Sequence, residues 1–223
     1  MQLVIRQYRP SDRDAVLDLF SVGIQEHIHP CFQNSMTSPH YLTITLALCA
    51  AGYHLGSVFG AVLLPGLWMG LVYYCCYEIY SGYVRMRLQT DMRDIPGNFQ
   101  SRPDDCFWVA EAEIDGRVQI VGTVAVLAKQ SGKERYGELL RMIISPVCRR
   151  VGLGCRMAQT VVDFCKERGF SKVSLETSSI QTSAVALYKK LGFCHVLSHI
   201  KPEAHPWIVM LANVTVLRME KQL

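Results

Sequence analysis

Arg149-Arg150-Val151-Gly152-Leu153-Gly154 is the stretch of this sequence best placed to do chemistry. It stands between an apolar run that reaches Ser145-Pro146 and an amphipathic run over 152–168. Glycines at a helix start leave backbone N–H groups uncovered, and the helix dipole adds partial positive charge there. The two arginines bring full charges to the same place, so the loop is built for an anion, and a diphosphate suits it. The third glycine of the dinucleotide fingerprint and the lysine of a P-loop are both missing, which excludes those two readings.

The elements that must hold this loop can be read from hydrophobic periodicity. Residues 3–9 alternate and predict a strand, and Ser11 or Asp12 starts a helix to about His27 with Ala15, Val16, Leu19, Phe20 and Ile24 on one face. A short helix is expected over 83–95, ended by Pro96-Gly97. Strands follow at 106–114 and 117–128 around an Asp115-Gly116 turn, with a polar connection at 129–137 and a strand at 138–145. The helix over 152–168 carries Leu153, Met157, Val161, Val162 and Phe164 toward a core. A strand at 172–177, a helix from Thr182 to Leu191 stopped by Gly192, and strands at 193–200 and 207–219 complete the chain. Strand–helix–strand units beside hairpins imply an α/β fold, a mixed sheet with helices on both faces.

An apolar insertion interrupts this pattern. No Asp, Glu, Lys or Arg occurs between Glu26 and Glu78. A bilayer span needs about 20 residues, so the stretch over 41–80 predicts an inserted transmembrane or re-entrant helical hairpin rather than a buried core pair. Gly52, Gly56, Gly60, Pro65 and Gly66 mark the expected turn, and Trp68, Tyr73, Tyr74, Tyr77 and Tyr80 an interfacial aromatic belt. Arginines flank both ends and none lies between, so the positive-inside rule puts the rest of the chain in the cytosol. Cys75 and Cys76 fall at the membrane edge, where thiols are buried or palmitoylated.

Composition narrows the classes. The chain has 223 residues and a net charge of +4 without a Lys/Arg-rich run, which argues for one domain over 1–223 and against a nucleic-acid partner. Nine cysteines include no C-x-x-C pair, so no metal site is expected, and unpaired cysteines suit a reducing compartment. Charge comes too early in MQLVIRQYRPSDRD for a signal peptide.

Ile144, Pro146, Arg149, Gly152 and Gly154 match the acetyl-CoA motif of the GNAT acetyltransferases, and SAVALYKKLGF (183–193) resembles their second motif. TDMRDI (90–95), CFWVAE (106–111), SSIQTSAVALYKKLGF (178–193) and the apolar insertion together resemble the camello or N-acetyltransferase 8 family, membrane enzymes of the endoplasmic reticulum, over nearly the whole chain. The resemblance implies a GNAT-type, mostly antiparallel twisted sheet, interrupted by the hairpin, and acetyl-CoA as co-substrate. It implies that amides from Arg149 through Arg150, Val151, Gly152, Leu153 and Gly154 to Cys155 bind the pyrophosphate. The backbone near Met142 and Ile144 would pair with pantetheine, with the amide near Ile144 as oxyanion donor. Tyr188 would protonate the leaving thiolate. For the base that deprotonates the amine, Glu111 is favoured over Glu113 and Glu138 because it lies in the CFWVAE match. Cys148 and Cys155 are read as packing residues. The implied reaction is acetylation of cysteine S-conjugates at a site facing the cytosol, beside membrane lipid. Protein lysine acetylation and a non-catalytic membrane scaffold are the alternatives.

Overall fold

The computed structural model describes residues 3–55, 58–200 and 204–223. Strand β1 (Leu3–Gln7) leads through a 3-10 turn into helix α1 (Arg13–Gln25). Asp12 fixes that turn, accepting from the Arg9 amide at 2.8 Å and from Arg6 at 2.7 Å. α1 buries Val16, Phe20 and Gly23, the spacing of one helical face. A helix that periodicity does not announce, α2 (Ile28–Met36), comes next.

Helices α3 (Pro39–His54) and α4 (Val58–Gln89) form the apolar hairpin. The Tyr41 and Trp68 rings are 5.5 Å apart at one end, and Gly52 meets Gly60 at the other, so the helices are antiparallel. α3 is followed by a turn at Leu55, and Gly56, also expected to mark the turn, lies with residue 57 outside the described residues. Pro65 and Gly66 are therefore not turn residues but sit inside α4, and Gly52 and Gly60 serve packing. A Cβ on Gly52 would stand 2.2 Å from the Gly60 carbonyl oxygen, backbone that cannot yield without parting the helices. Gly52→Leu is expected to cost about 1–3 kcal/mol as overpacking. Thermal unfolding in detergent should then begin roughly 2–10 °C lower. Gly66→Ala, with nothing near its Cβ position, should leave the midpoint unchanged. Leu46, Leu55, Val58, Phe59, Val62 and Leu67 expose most of their surface, unlike residues of a buried core pair. α4 is long and apolar enough to cross a membrane.

α4 also departs from expectation at its far end. It runs to Gln89 and absorbs most of the separate helix expected at 83–95. Pro96-Gly97 then begins rather than ends a helix, α5 (Ile95–Phe99), because proline is tolerated in a first turn. The Asp94 carboxylate caps it, accepting from the Gly97 amide at 3.0 Å. Tyr80 does not join the aromatic belt: it is buried, whereas Tyr73, Tyr74 and Tyr77 are exposed. Cys75 and Cys76 are buried too, Cys76 lying 3.3 Å from the Cys31 thiol, so lipidation is denied by packing.

Asp115 (φ 51°) and Gly116 (φ 71°) close a two-residue hairpin between β2 (Cys106–Ile114) and β3 (Arg117–Ser131). The expected polar connection at 129–137 is instead the second hairpin, joining β3 to β4 (Glu134–Ile144) through Gly132 at φ 59°. α6 (Leu153–Glu167), β5 (Lys172–Ser178), α7 (Thr182–Lys190) and β6 (Cys194–His199) follow. The strand expected at 207–219 splits into α8 (Pro206–Ala212) and β7 (Val216–Gln222). Ile208, Val209 and Ala212 are buried, an i, i+1, i+4 pattern that short apolar runs share between helix and strand.

Among the described residues the sheet has seven strands in the order β1-β2-β3-β4-β5-β7-β6, with only β4–β5 parallel. β2 shows why helices cover both faces. Cys106, Trp108, Ala110 and Ala112 pack toward α6 and α7, while Phe107 and Val109 pack toward α1, α5 and the end of α4.

Candidate active site

The parallel pair β4–β5 is short. Gly137, Glu138 and Leu139 pair with Val173, Ser174 and Leu175, and beyond them the strands part. A bulge in β4 accompanies this. Leu140 faces Ala125 and Ile143 faces Thr123, so Arg141 and Met142 together oppose Val124. Arg141 takes a left-handed conformation (φ 52°), and the Thr123 hydroxyl donates to its carbonyl at 2.8 Å. An extra residue bends the strand that carries it. The edge of β4 over 140–144 consequently lacks a partner on β5 among the described residues.

β4 runs through a 3-10 turn at Pro146–Cys148 into α6. Arg150 (φ 64°) and Gly152 (φ 82°) are left-handed, and Gly152 caps α6 without any side chain. Among the described residues no side chain caps these amides, and no acidic residue sits in the first turn. Uncapped N–H groups at a helix start fit an anionic diphosphate. The open β4 edge likewise offers backbone groups for the amides of a pantetheine arm. The residues present therefore fit coenzyme A. Val151 and Arg150 are exposed, Leu153 is buried in the core, and Cys155 is half-buried.

The two motifs meet at Met142. The Tyr188 hydroxyl, on α7, donates to the Met142 sulfur at 3.4 Å, and its ring packs edge-on against Phe193. A Cβ on Gly154 would lie 2.7 Å from Leu187, so the bare glycine lets α6 approach α7 next to Tyr188. Burial pushes the Tyr188 phenol well above its usual value.

Arg149 is engaged. Its Nε donates to the Ile144 carbonyl at 3.1 Å and its Nη2 to Glu26 at 2.5 Å. This pair brings in residues that the sequence reading missed. Glu26 and His27 follow the end of α1, and the His27 ring lies 6.0 Å from that of Tyr80, whose hydroxyl is 3.2 Å from Ser178 at the end of β5. Burial lowers the His27 pKa most; Glu26 opposes this and Arg149 adds to it. One signal was available: Glu26 is the last formal charge before the uncharged stretch. Past the end of β5, an open cavity of about 400 Å3 is lined by Pro30, Gln33, Asn34, Thr37, Ser179, Ile180 and Thr182, with no charged side chain.

The three carboxylates weighed for the base lie on β2 and β4. Glu111 is on β2, two strands from β4, and accepts from Arg6, which also holds Asp12. Glu113 is exposed, and Glu138 stands 3.5 Å from Lys129. Cys148 is a buried core residue.

Comparison with known proteins agrees with this geometry. Residues 73–193 match the acetyltransferase (GNAT) family model. Human N-acetyltransferase 8B is 34% identical over 197 residues, covering 85% of this chain and 83% of its own. The probable N-acetyltransferase camello of Xenopus laevis is 35% identical over 205 residues, covering 89% of each. Among solved structures, a GNAT-family acetyltransferase from Staphylococcus aureus superposes with a TM-score of 0.58 at 16% identity, covering 100% of this chain and 99% of its own. A splayed strand pair, an uncapped helix start and these relatives agree: the chain belongs to the GNAT acetyltransferases, in the N-acetyltransferase 8 or camello family, and is an acetyl-CoA-dependent N-acetyltransferase.

Proposed function

We propose that the protein acetylates the amino group of cysteine S-conjugates at the surface of the endoplasmic reticulum, with the catalytic domain in the cytosol. The observation that carries this reading is the path of α4. It runs unbroken from the exposed apolar hairpin to Tyr80, whose hydroxyl lies 3.2 Å from Ser178 at the end of β5. An acceptor with an apolar S-substituent can thus partition at the bilayer and present its amine where β4 and β5 part. The uncharged cavity beside the end of β5 suits such an acceptor.

Acetyl-CoA supplies the activated thioester. The α6 amides and Arg149 would hold its diphosphate, and the β4 edge near Met142 and Ile144 would align its arm and polarise the carbonyl. Tyr188, kept protonated by burial, would return a proton to the departing thiolate. The amine must be neutral to attack. Glu111 is tied to Arg6, so His27 is the base we favour, faced by Glu26, Arg149 and Tyr80. A lowered imidazole pKa keeps His27 neutral at physiological pH. Activity dependent on it should fall only below its ordinary value, near 6.5.

Membranes carrying the protein, given labelled acetyl-CoA and S-benzylcysteine, aspartate or a lysine peptide, test this. S-benzylcysteine should be acetylated. Arg149→Ala should raise KM for acetyl-CoA roughly 10-fold or more, the loss of a charge-assisted hydrogen bond. The acidic limb of the pH profile should vanish in His27→Gln. Transfer to the peptide alone would move the acceptor to protein lysine, and no transfer with coenzyme A still bound would place the acceptor among other amines.

A further inference from the structure

We propose that the ion pair between Asp91 and Arg141 is a positioning device: it locks the bulge of β4 and so fixes the Met142 and Ile144 backbone at the reacting carbonyl. This rests on the GNAT reading of β4 but not on the identity of the acceptor.

Arg141 is held at its carbonyl and at all three guanidinium nitrogens. Its carbonyl takes the Thr123 hydroxyl at 2.8 Å. Its Nε donates to Asp91 Oδ2 at 3.0 Å, Nη2 donates to the same oxygen, and Nη1 donates to the Tyr83 hydroxyl at 2.7 Å. The guanidinium lies 6.0 Å from the Phe20 ring and 5.8 Å from the Tyr83 ring. Only 6% of the side chain is exposed, so this is no solvated surface pair. A long L-residue leaves the left-handed region unless its surroundings over-determine it. Here the surroundings are α1, the end of α4 and the turn after it.

That turn is built to present Asp91. Met92 and Ile95 are buried, Asp94 caps α5, and the Asn98 amide donates to the Asp91 carbonyl at 3.2 Å. The TDMRDI segment thus sends its Asp91 carboxylate out to Arg141. The next residue after Arg141 is Met142, whose sulfur receives the Tyr188 hydroxyl. The pair acts one residue from Met142, and through Tyr83 joins the bulge to the helix that continues into the apolar hairpin. Arg141 and Asp91 reach the reaction only through the backbone they hold.

Asp91→Asn, Asp91→Leu/Arg141→Met and the parent should be compared as full chains in lipid. A misplacement near 1 Å costs on the order of 100-fold in rate, so kcat should fall about 10- to 100-fold in Asp91→Asn. KM for acetyl-CoA should change less than about threefold, since binding of the diphosphate at α6 does not depend on the pair. Amide exchange over 140–145 should accelerate in both variants. The double variant removes both charges, and apolar replacement of a buried pair is commonly neutral for stability. Its thermal midpoint should return toward the parent while kcat stays low. Recovery of kcat together with stability, or parent kinetics in Asp91→Asn, would overturn the proposal and leave the pair merely structural. The exchange measurement needs no acceptor. If the parent acetylates none of the amines offered, unchanged exchange over 140–145 still overturns it.

Discussion

Tyr188→Phe should lower kcat about 100-fold, within the range for loss of a general acid, and leave the fold intact. The ring keeps its contact with Phe193, and the hydroxyl gives up only a weak bond to the Met142 sulfur. Stability should therefore move little, so a loss of rate reports chemistry rather than unfolding. The pH dependence adds a second readout. Burial raises the phenol's pKa, so the acid form persists above its ordinary value near 10. The parent should show no alkaline loss from this group even near pH 10, where an unperturbed tyrosine would be about half deprotonated. Steady-state kinetics with acetyl-CoA varied would show kcat falling with KM for the thioester nearly unchanged. A Tyr188→Phe enzyme with the parent's kcat would transfer the acid role to water or another residue.

Gly152→Val should raise KM for acetyl-CoA about 10- to 100-fold. Gly152 has φ 82°, and β-branched residues are genuine outliers there, so about 1–3 kcal/mol of strain must be met or the loop must rearrange. Nothing stands near its Cβ position, so the effect comes from backbone conformation and not from a clash. The loop would turn its amides away from the diphosphate. Coenzyme A binding by calorimetry would check this directly, without any acceptor. An unaltered dissociation constant would place the diphosphate elsewhere. Gly152→Ala should fall between the two, since alanine is disfavoured in that region but less than valine.

Local patterns carried much of this architecture. The Asp115-Gly116 turn, the amphipathic α6 and the Gly152-Leu153-Gly154 start of that helix each follow from neighbouring residues alone. α8 was misread because PWIVMLA is a short apolar run, equally compatible with a strand. The 83–95 helix was misplaced because periodicity shows where helix is favoured, not whether one helix runs into the next. Gly52 and Gly60 looked like turn residues because glycine marks both turns and close helix contacts, and only the facing backbone tells which.

By itself, then, the sequence determined the GNAT family, the glycine-opened start of α6, Tyr188 on its helix and the uncharged apolar insertion. Each rests on residues a few positions apart, and local spacing is what a linear pattern records. Only the tertiary structure decided which distant groups meet. Glu111 goes to Arg6, Glu26 to Arg149, Tyr80 to Ser178 and Asp91 to Arg141, pairs that the chain separates by 105, 123, 98 and 50 residues. Such pairs depend on strand register, on the bulge that carries Arg141, and on the unbroken course of α4. Those are properties of the packed sheet and helices, which no short stretch of sequence contains.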